Sequence, residues 1–332
     1  MNCRFATFLP PYILHPTPFT RFPPMKKTRF IYPFICLLAA IIWGLSFPFQ
    51  DMAGENAHIF DGFMFNGLRF LIGGLVVIPV FLLFEKEKKL KAEERKVKYK
   101  NTVALGIISG LILSCASVLQ QFGIQMTGES GKAGFITGLY LIIVPVGAFI
   151  LFRQKASLFV WIAIPISVVG LYFLSISDGF TIKTGDILVI LCAFGYAAQI
   201  IFIDRVSTKI CAIRFSCTQF LTTAVVCIIL SLLFGHTTWE GIVSTIIPIL
   251  YCGVFSAGAA FTLQVVGQKH TPPAVASILF ATEGLFATIF ECLIELKLPS
   301  LKITIGCVLM LVAIMLSQIT FSPKKKLSDV SR

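Results

Sequence analysis

Charged side chains are scarce in this sequence of 332 residues. Asp, Glu, Lys and Arg make up 13% of it and hydrophobic residues 56%, whereas soluble domains carry roughly 25% charged and 45–50% apolar residues. This shortage of charge excludes a soluble globular protein. The sequence also lacks a Walker A motif for ATP-driven pumping, the HExxH pattern of zinc peptidases and the GxSxG pattern of serine hydrolases. No catalytic set is visible, so the sequence predicts a protein that is not an enzyme.

Disulfide and metal-ligand patterns are missing as well. None of the ten cysteines belongs to a CxxC pair or to the Cys/His spacing of a zinc site, and most of them lie inside apolar stretches. His58 and His270 are isolated in polar connections, and His236 lies just beyond an apolar stretch. The sequence therefore predicts no disulfide framework, no bound metal and no cofactor.

The hydrophobic residues are concentrated in apolar segments of about 20 residues, the length at which a helix crosses roughly 30 Å of hydrocarbon. Short connections separate most of them, so consecutive helices are expected to run antiparallel. The long charged connection 85–100 is expected to extend a helix into solvent. The sequence predicts an all-α polytopic membrane protein with ten transmembrane helices at residues 30–50, 62–84, 101–123, 132–152, 158–176, 185–204, 212–234, 243–267, 273–296 and 300–321.

The two ends of the chain differ from the spans. Residues 1–24 contain six prolines, which prevent a helix, and Met25 then begins a basic stretch that leads directly into the first span. We interpret residues 1–24 either as an extension from a misplaced start codon or as a disordered N-terminal tail. Residues 322–332 form a short polar tail.

Basic residues are distributed unequally between the two sides of the predicted helices. Twenty Lys and Arg residues fall in the connections and tails on one side, and four fall on the other. The positive-inside rule places the side rich in basic residues, with both chain termini, in the cytoplasm. The net charge of +12 is divided into short runs between apolar segments. It does not form the extended basic surface that nucleic acid requires, so no nucleic-acid partner is expected.

The ten spans divide into two sets of five, within residues 25–176 and 177–321. Because five is an odd number, the second set must cross the membrane in the opposite orientation to the first, which is the arrangement of inverted repeats. A weak match supports this symmetry: LAAIIWGLSFPF aligns with LCAFGYAAQIIF, which places Trp43 opposite Tyr196.

Several segments also carry a family signature: AAIIWGLSFPF (39–49), GLRFLIGGL (67–75), QQFGIQMTGESGKAGFITGLYLIIVP (120–145) and QVVGQKHTPPAVASILFATEG (264–284). They resemble the EamA family of the drug/metabolite transporter superfamily, and the resemblance extends from about Met25 to Phe321. Members of that family usually read Leu-Glu-Pro in the ninth span. Here Glu283 is followed by Gly284, which removes the expected proline kink and allows a bend without enforcing one.

Architecture and resemblance together predict a secondary transporter, a permease for small organic metabolites that works by alternating access between its halves. The resemblance implies export of amino-acid-like compounds across a bacterial inner membrane. The partners are then a small-molecule substrate, the lipid bilayer and, as a candidate coupling ion, the proton. Uptake of a metabolite or a nucleotide-related solute is the alternative within the transporter class. A membrane-embedded enzyme or scaffold is the alternative from another class, and no acid/base or metal cluster in the sequence supports it.

A charge inside a span is costly unless it faces a cavity or a partner, and two ionisable residues within the predicted spans stand out, Glu283 and Arg69. Glu283 is near the midplane, where it could carry a proton, bind a cationic substrate group, or stay protonated in a structural hydrogen bond between helices. Arg69 lies about seven residues, roughly 10 Å, from the outer end of its span. It could attract an anion at the mouth of a cavity, neutralise Glu283, or reach the lipid headgroups.

Amide and aromatic side chains complete the candidate site. Glutamines within spans must face the helix bundle, because lipid cannot satisfy their hydrogen bonds, and they act there either as substrate ligands or as interhelical contacts. Aromatic residues at this depth line a cavity or pack helices together. The candidates of these two kinds are Gln120, Gln121, Gln199, Gln264, Trp43, Tyr140 and Tyr196.

Overall fold

A computed structural model describes residues 30–56, 58–84, 92–127, 130–175, 183–294, 296, 298 and 300–319. These residues are helical with short connections, and no strand occurs among them. The interpretations of residues 1–24 and 322–332 fall outside this part of the chain. The first half contains helices α1 (Ile31–Glu55), α2 (Gly62–Phe84), α3 (Ala92–Thr127), α4 (Ser130–Gly138), α5 (Tyr140–Phe152) and α6 (Leu158–Ser175).

The second half follows the same plan. Its helices are α7 (Thr184–Val206), α8 (Ala212–Phe234), α9 (Trp239–Ser244), α10 (Ile246–Tyr251), a π-helical segment (Cys252–Ala260), α11 (Phe261–Gln268), α12 (Pro273–Phe280), α13 (Glu283–Ile294) and α14 (Leu301–Ser317).

The helices match the predicted spans in position. Among the described residues, eight helical stretches are long and apolar enough to cross a membrane. Two shorter apolar helices, Leu158–Leu174 and Leu301–Ser317, coincide with the fifth and tenth predicted spans. The all-α polytopic membrane fold is thereby confirmed, in a pattern consistent with ten spans. Helix α3 begins at Ala92, inside the charged connection 85–100, so the C-terminal part of that connection is helical.

Contacts between the two halves occur in matching pairs, as inverted repeats require. Helix α3 packs against α7, and its counterpart, the α10–α11 span, packs against α1. Helix α3 also packs against α8, and the π-helical segment correspondingly packs against α2. The fourth spans follow the same rule, because α13 packs against α1 while α4 and α5 pack against α7. The two repeats therefore interlock across a shared interface.

The fourth span of each repeat is interrupted, although the sequence predicts continuous helices at 132–152 and 273–296. One interruption lies at Leu139, whose N–H bonds to the carbonyl three residues earlier instead of four. The other lies at Ala281 and Thr282. Both the N–H and the hydroxyl of Thr282 donate to the carbonyl of Leu279. This local bonding replaces the regular helical pattern, so the helix is interrupted without a proline.

The eighth predicted span, 243–267, is not a regular α-helix either. It consists of α10, the π-helical segment and α11. Most residues of the π-helical segment are Gly, Ala, Ser or Cys, and a Cβ atom added at Gly253 would lie 2.8 Å from the Cβ of Ile72. Small residues allow α2 and this segment to approach closely.

A buried ion pair joins the two repeats at one end of the bundle. The ammonium group of Lys132, in α4, lies 2.7 Å from the carboxylate of Asp186, in α7, and both side chains are buried. Asp186 also accepts a hydrogen bond from the backbone N–H of Lys183 at the start of α7. One carboxylate thus caps a helix and contacts the facing repeat.

Helix α1 approaches α13 closely at one glycine. A Cβ atom added at Gly44 would lie 2.5 Å from the Cβ of Phe286 and 2.9 Å from the carbonyl oxygen of Glu283. A side chain at this position would therefore push away the backbone that carries Glu283.

We expect Gly44→Ala to lower the stability of the protein by about 1–3 kcal/mol, because the added methyl group overpacks a backbone contact. Gly134→Ala, in α4, is the matched control, since the nearest atoms to its added Cβ are 3.8 Å away in the ring of Phe47. Both changes gain the same helix propensity. Thermal unfolding of the purified variants in detergent measures the difference, and equal stability of the two would contradict the close approach at Gly44.

The ion pair gives a second prediction. Lys132→Met and Asp186→Asn should each destabilise the protein by about 3–5 kcal/mol, because either change takes the opposite charge away from a buried charged group. The double variant should be more stable than the sum of the single losses implies, because neither charge then remains. The same unfolding assay tests this, and strictly additive losses would show that the two groups do not interact.

Candidate functional site

A cavity lies between the two repeats in the interior of the bundle. Its volume is about 40 Å³. Of the nine site residues predicted from the sequence, eight line this cavity and come from both repeats: Trp43, Arg69, Gln120, Tyr140, Tyr196, Gln199, Gln264 and Glu283. The ninth, Gln121, does not line it, because its amide donates to the backbone carbonyl of Gln50 at 3.2 Å and holds α3 against α1.

Glu283 occupies the first position of α13, directly after the interruption of the ninth span. Its side chain is 6% exposed, and its Oε1 atom accepts a hydrogen bond of 3.1 Å from the hydroxyl of Tyr140. Tyr140 occupies the first position of α5, directly after the interruption in the other repeat. The equivalent breaks of the two repeats thus meet in one hydrogen bond. The start of a helix also favours a negative charge, because its N–H groups point toward that end.

Arg69 is buried in the middle of α2, with 3% of its surface exposed. Its Nη1 atom donates to Oε1 of Gln50 at 2.9 Å, and its guanidinium lies 5.1 Å from the ring centre of Phe70. This position does not fit the prediction that Arg69 reaches the headgroups. It forms no ion pair with Glu283 or any other acidic residue in the described ranges.

A chain of amides runs from the cavity into the packed bundle. Gln264 donates to Gln199 at 3.1 Å, and Gln199 donates to Gln219 at 3.4 Å. The hydroxyl of Ser109 also donates to Gln219, at 2.9 Å. These bonds link α11, α7, α8 and α3, so the amides serve as interhelical contacts. The carbonyl oxygen of Gln264 has no partner among the described residues, so it can still accept a hydrogen bond from a ligand.

The two aromatic residues that the repeat alignment pairs occupy the same cavity. The hydroxyl of Tyr196 donates to Oε1 of Gln120 at 2.9 Å. Trp43 packs edge-on against Phe261 and Phe280, with ring centres 4.7 and 5.5 Å away. The Nε1 atom of Trp43 is buried without a hydrogen-bond acceptor in the described part of the chain.

Sequence reasoning missed several lining residues, among them Ser46, Phe47, Gln50, Ile200, Ser256, Phe261 and Phe280. Gln50 is the informative case. The predicted first span ends at residue 50, whereas α1 continues to Glu55 and so carries Gln50 well inside the bundle. The signal that could have found it is its spacing of seven residues, two helical turns, from Trp43 on the same face.

The cavity combines one carboxyl group, one guanidinium group, amides and aromatic walls. Such a lining suits a small organic molecule that carries both polar and apolar groups. Ligand pockets usually enclose at least roughly 300 Å³, so this cavity is smaller than an ordinary ligand pocket. Within the described residues, no group of three or more His, Cys, Asp or Glu side chains is placed to hold a metal ion.

Comparisons with known proteins identify relatives that align with most of this chain. An uncharacterized transporter of Archaeoglobus fulgidus is 28% identical over 283 residues, which cover 84% of this chain and 83% of the relative. An uncharacterized transporter of Clostridium kluyveri is 25% identical over 93% of this chain and 97% of its own length. One crystal structure of a protein superposes with a TM-score of 0.69 at 17% identity, covering 86% of this chain and 96% of the other, and supports the fold alone.

The profile of the EamA-like transporter family matches the chain twice, over residues 30–176 and 183–318. The two matches correspond to the two repeats. The chain belongs to the EamA-like transporter family.

Proposed function

We propose that this transporter exports small, amino-acid-like metabolites by alternating access of its two repeats, and that Glu283 couples this export to protons. We place it in a bacterial inner membrane with both termini in the cytoplasm. The observation that carries the proposal is the hydrogen bond between Tyr140 and Glu283, which joins the interrupted helices of both repeats at the cavity.

The lining of the cavity supports the substrate class. Arg69 can bind an anionic group, Glu283 can bind a cationic group, and Trp43 with Phe261 and Phe280 offers an apolar surface. An amino acid carries these three kinds of group on a small skeleton. Transport of such a molecule requires the cavity to widen, which separation of the two repeats can provide.

Proton coupling follows from the surroundings of Glu283. The carboxyl group is buried, its described hydrogen-bond partner is the hydroxyl of Tyr140, and no cation forms an ion pair with it in the described ranges. Such a group binds and releases a proton as access to water changes. The change of charge acts directly on the contact between α5 and α13, so it can bias the arrangement of the repeats.

Competition for one carboxylate supports export. If the cationic group of the substrate and the proton bind the same Glu283 side chain, they cannot bind together, and the carrier exchanges one for the other. An inward proton gradient then drives substrate outward. Uptake would instead require the proton and the substrate to bind simultaneously.

The coupling role predicts the behaviour of Glu283→Gln, which keeps the shape and hydrogen-bonding capacity of the side chain and fixes it in a neutral form. In proteoliposomes with an acidic interior, the wild type should accumulate radiolabelled amino acids. Glu283→Gln should abolish this accumulation. Exchange of labelled for unlabelled substrate needs no proton and should continue at higher substrate concentration, because the amide oxygen still accepts a hydrogen bond from the cationic group but binds it less tightly than a carboxylate.

Tyr140→Phe is the control for this experiment, because it removes the hydrogen bond but keeps the carboxyl group. It should retain accumulation driven by the proton gradient. Gradient-driven accumulation by Glu283→Gln would refute the coupling role. Accumulation by the wild type in alkaline-interior vesicles, rather than acidic ones, would identify uptake in place of export.

The orientation is tested with two exposed polar positions in different connections. His236 follows α8, and Lys155 lies between α5 and α6. In intact cells, an impermeant thiol reagent should label His236→Cys above the background of the unmodified protein and should not label Lys155→Cys. The opposite pattern would reverse the orientation and contradict the positive-inside assignment.

A further inference from the structure

Arg69 is a buried cation whose charge the described part of the protein does not neutralise. Three per cent of its surface is exposed, and no carboxylate lies within 4 Å of its guanidinium nitrogens in the described ranges. Its Nη1 atom donates a hydrogen bond to the neutral amide of Gln50, and the rings of Phe65 and Phe70 lie 5.2 and 5.1 Å away. Taking a charge out of water is unfavourable unless an opposite charge compensates it. An anion from outside the chain would supply that compensation.

Hydrogen-bond donors remain free at the same cavity. The Nε atom of Arg69 and the Nε1 atom of Trp43 are both buried, and neither has an acceptor among the described residues. Both side chains line the cavity. Unpaired buried donors are rare in folded proteins and call for a partner.

Gln50 restricts the guanidinium of Arg69, and helix packing restricts the backbone that carries it. Gln50 holds Nη1 at 2.9 Å, and the amide of Gln50 itself donates toward Ser46 on the next turn of α1. On the other side, the backbone of Arg69 packs against the π-helical segment, where a Cβ atom added at Gly253 would lie 3.2 Å from the carbonyl oxygen of Arg69. A guanidinium that is held in place in advance binds its ligand with little loss of conformational freedom.

We propose that Arg69 is the specificity-determining residue for a carboxylate group on the substrate, which accepts hydrogen bonds from the guanidinium. This inference rests on the proposed function in one respect, that the cavity is the substrate site. A carboxylate is favoured over a phosphate because one guanidinium, with no second cation in the described lining, matches a single negative charge.

Binding of minimal carboxylates tests this proposal without any transport. Acetate and propionate carry the proposed group, and acetamide and propionamide are neutral molecules of nearly the same shape. Thermal unfolding of the purified full-length protein in detergent is measured over a concentration series of each compound, with sodium chloride added to equal ionic strength. The carboxylates should raise the unfolding temperature, with an apparent affinity at least about tenfold above that of the amides.

Three variants test whether the effect arises at Arg69. Arg69→Met should lose the response to carboxylates, and Arg69→Lys should keep part of it because the charge remains. Gln50→Glu keeps the size of the side chain and sets an internal carboxylate beside the guanidinium. It should unfold at a higher temperature than the wild type without any ligand and should no longer respond to acetate. This variant keeps the proposal falsifiable if Arg69→Met does not fold.

The proposal is overturned if amides stabilise the wild type as strongly as carboxylates, or if Gln50→Glu responds to acetate as the wild type does. A larger response to inorganic phosphate than to acetate would also overturn it. The outcome is independent of proton coupling. A protein that binds acetate at Arg69 and still accumulates substrate with Glu283→Gln would retain this inference and lose the coupling role.

Discussion

Hydrocarbon offers no hydrogen-bond partners, and this constraint decides where each polar side chain of the spans lies. The amides of Gln199, Gln219 and Gln264 meet one another inside the bundle. The ionisable groups of Arg69 and Glu283 are buried in the same interior and face one cavity. A polar interface between the repeats is therefore a direct result of their insertion into lipid. It also supplies the polar groups that line the cavity.

The inverted repeat explains why the site has the shape it does. Each repeat contributes a fourth span that is interrupted, and the residues that begin the second parts, Tyr140 and Glu283, face each other. A continuous helix would satisfy its own backbone and could bend only at some cost. An interrupted one already contains a joint at the depth of the cavity. The two joints meet in a contact between side chains at the cavity.

Much of this arrangement could be predicted from the sequence, because lipid imposes a simple length and composition on every span. The positions of the spans and eight of the nine lining candidates followed from apolar length and from the cost of burying polar groups. The interruptions of the fourth spans could not be predicted from the sequence. The interruption at Thr282 depends on a local hydrogen bond of its hydroxyl, and composition does not signal such a bond. Gln121 was predicted to line the site but does not. The direction in which its side chain points depends on the rotation of α3 about its axis, and hydropathy does not specify that rotation. Gln50 was overlooked because the end of α1 depends on contacts beyond the apolar run.

The asymmetry between Tyr140 and Glu283 has an energetic consequence. The two residues occupy equivalent positions in the repeats, yet only one of them is a carboxylic acid, and it is the one acid among the described residues that line the cavity. A carrier that uses this group moves at most one proton through the site for each substrate. One proton that crosses a difference of one pH unit releases about 1.4 kcal/mol. The pH gradient alone can then sustain about a tenfold substrate gradient per pH unit. Exchange of a zwitterion for a proton also moves net charge across the membrane, so the membrane potential increases the substrate gradient that the carrier can sustain.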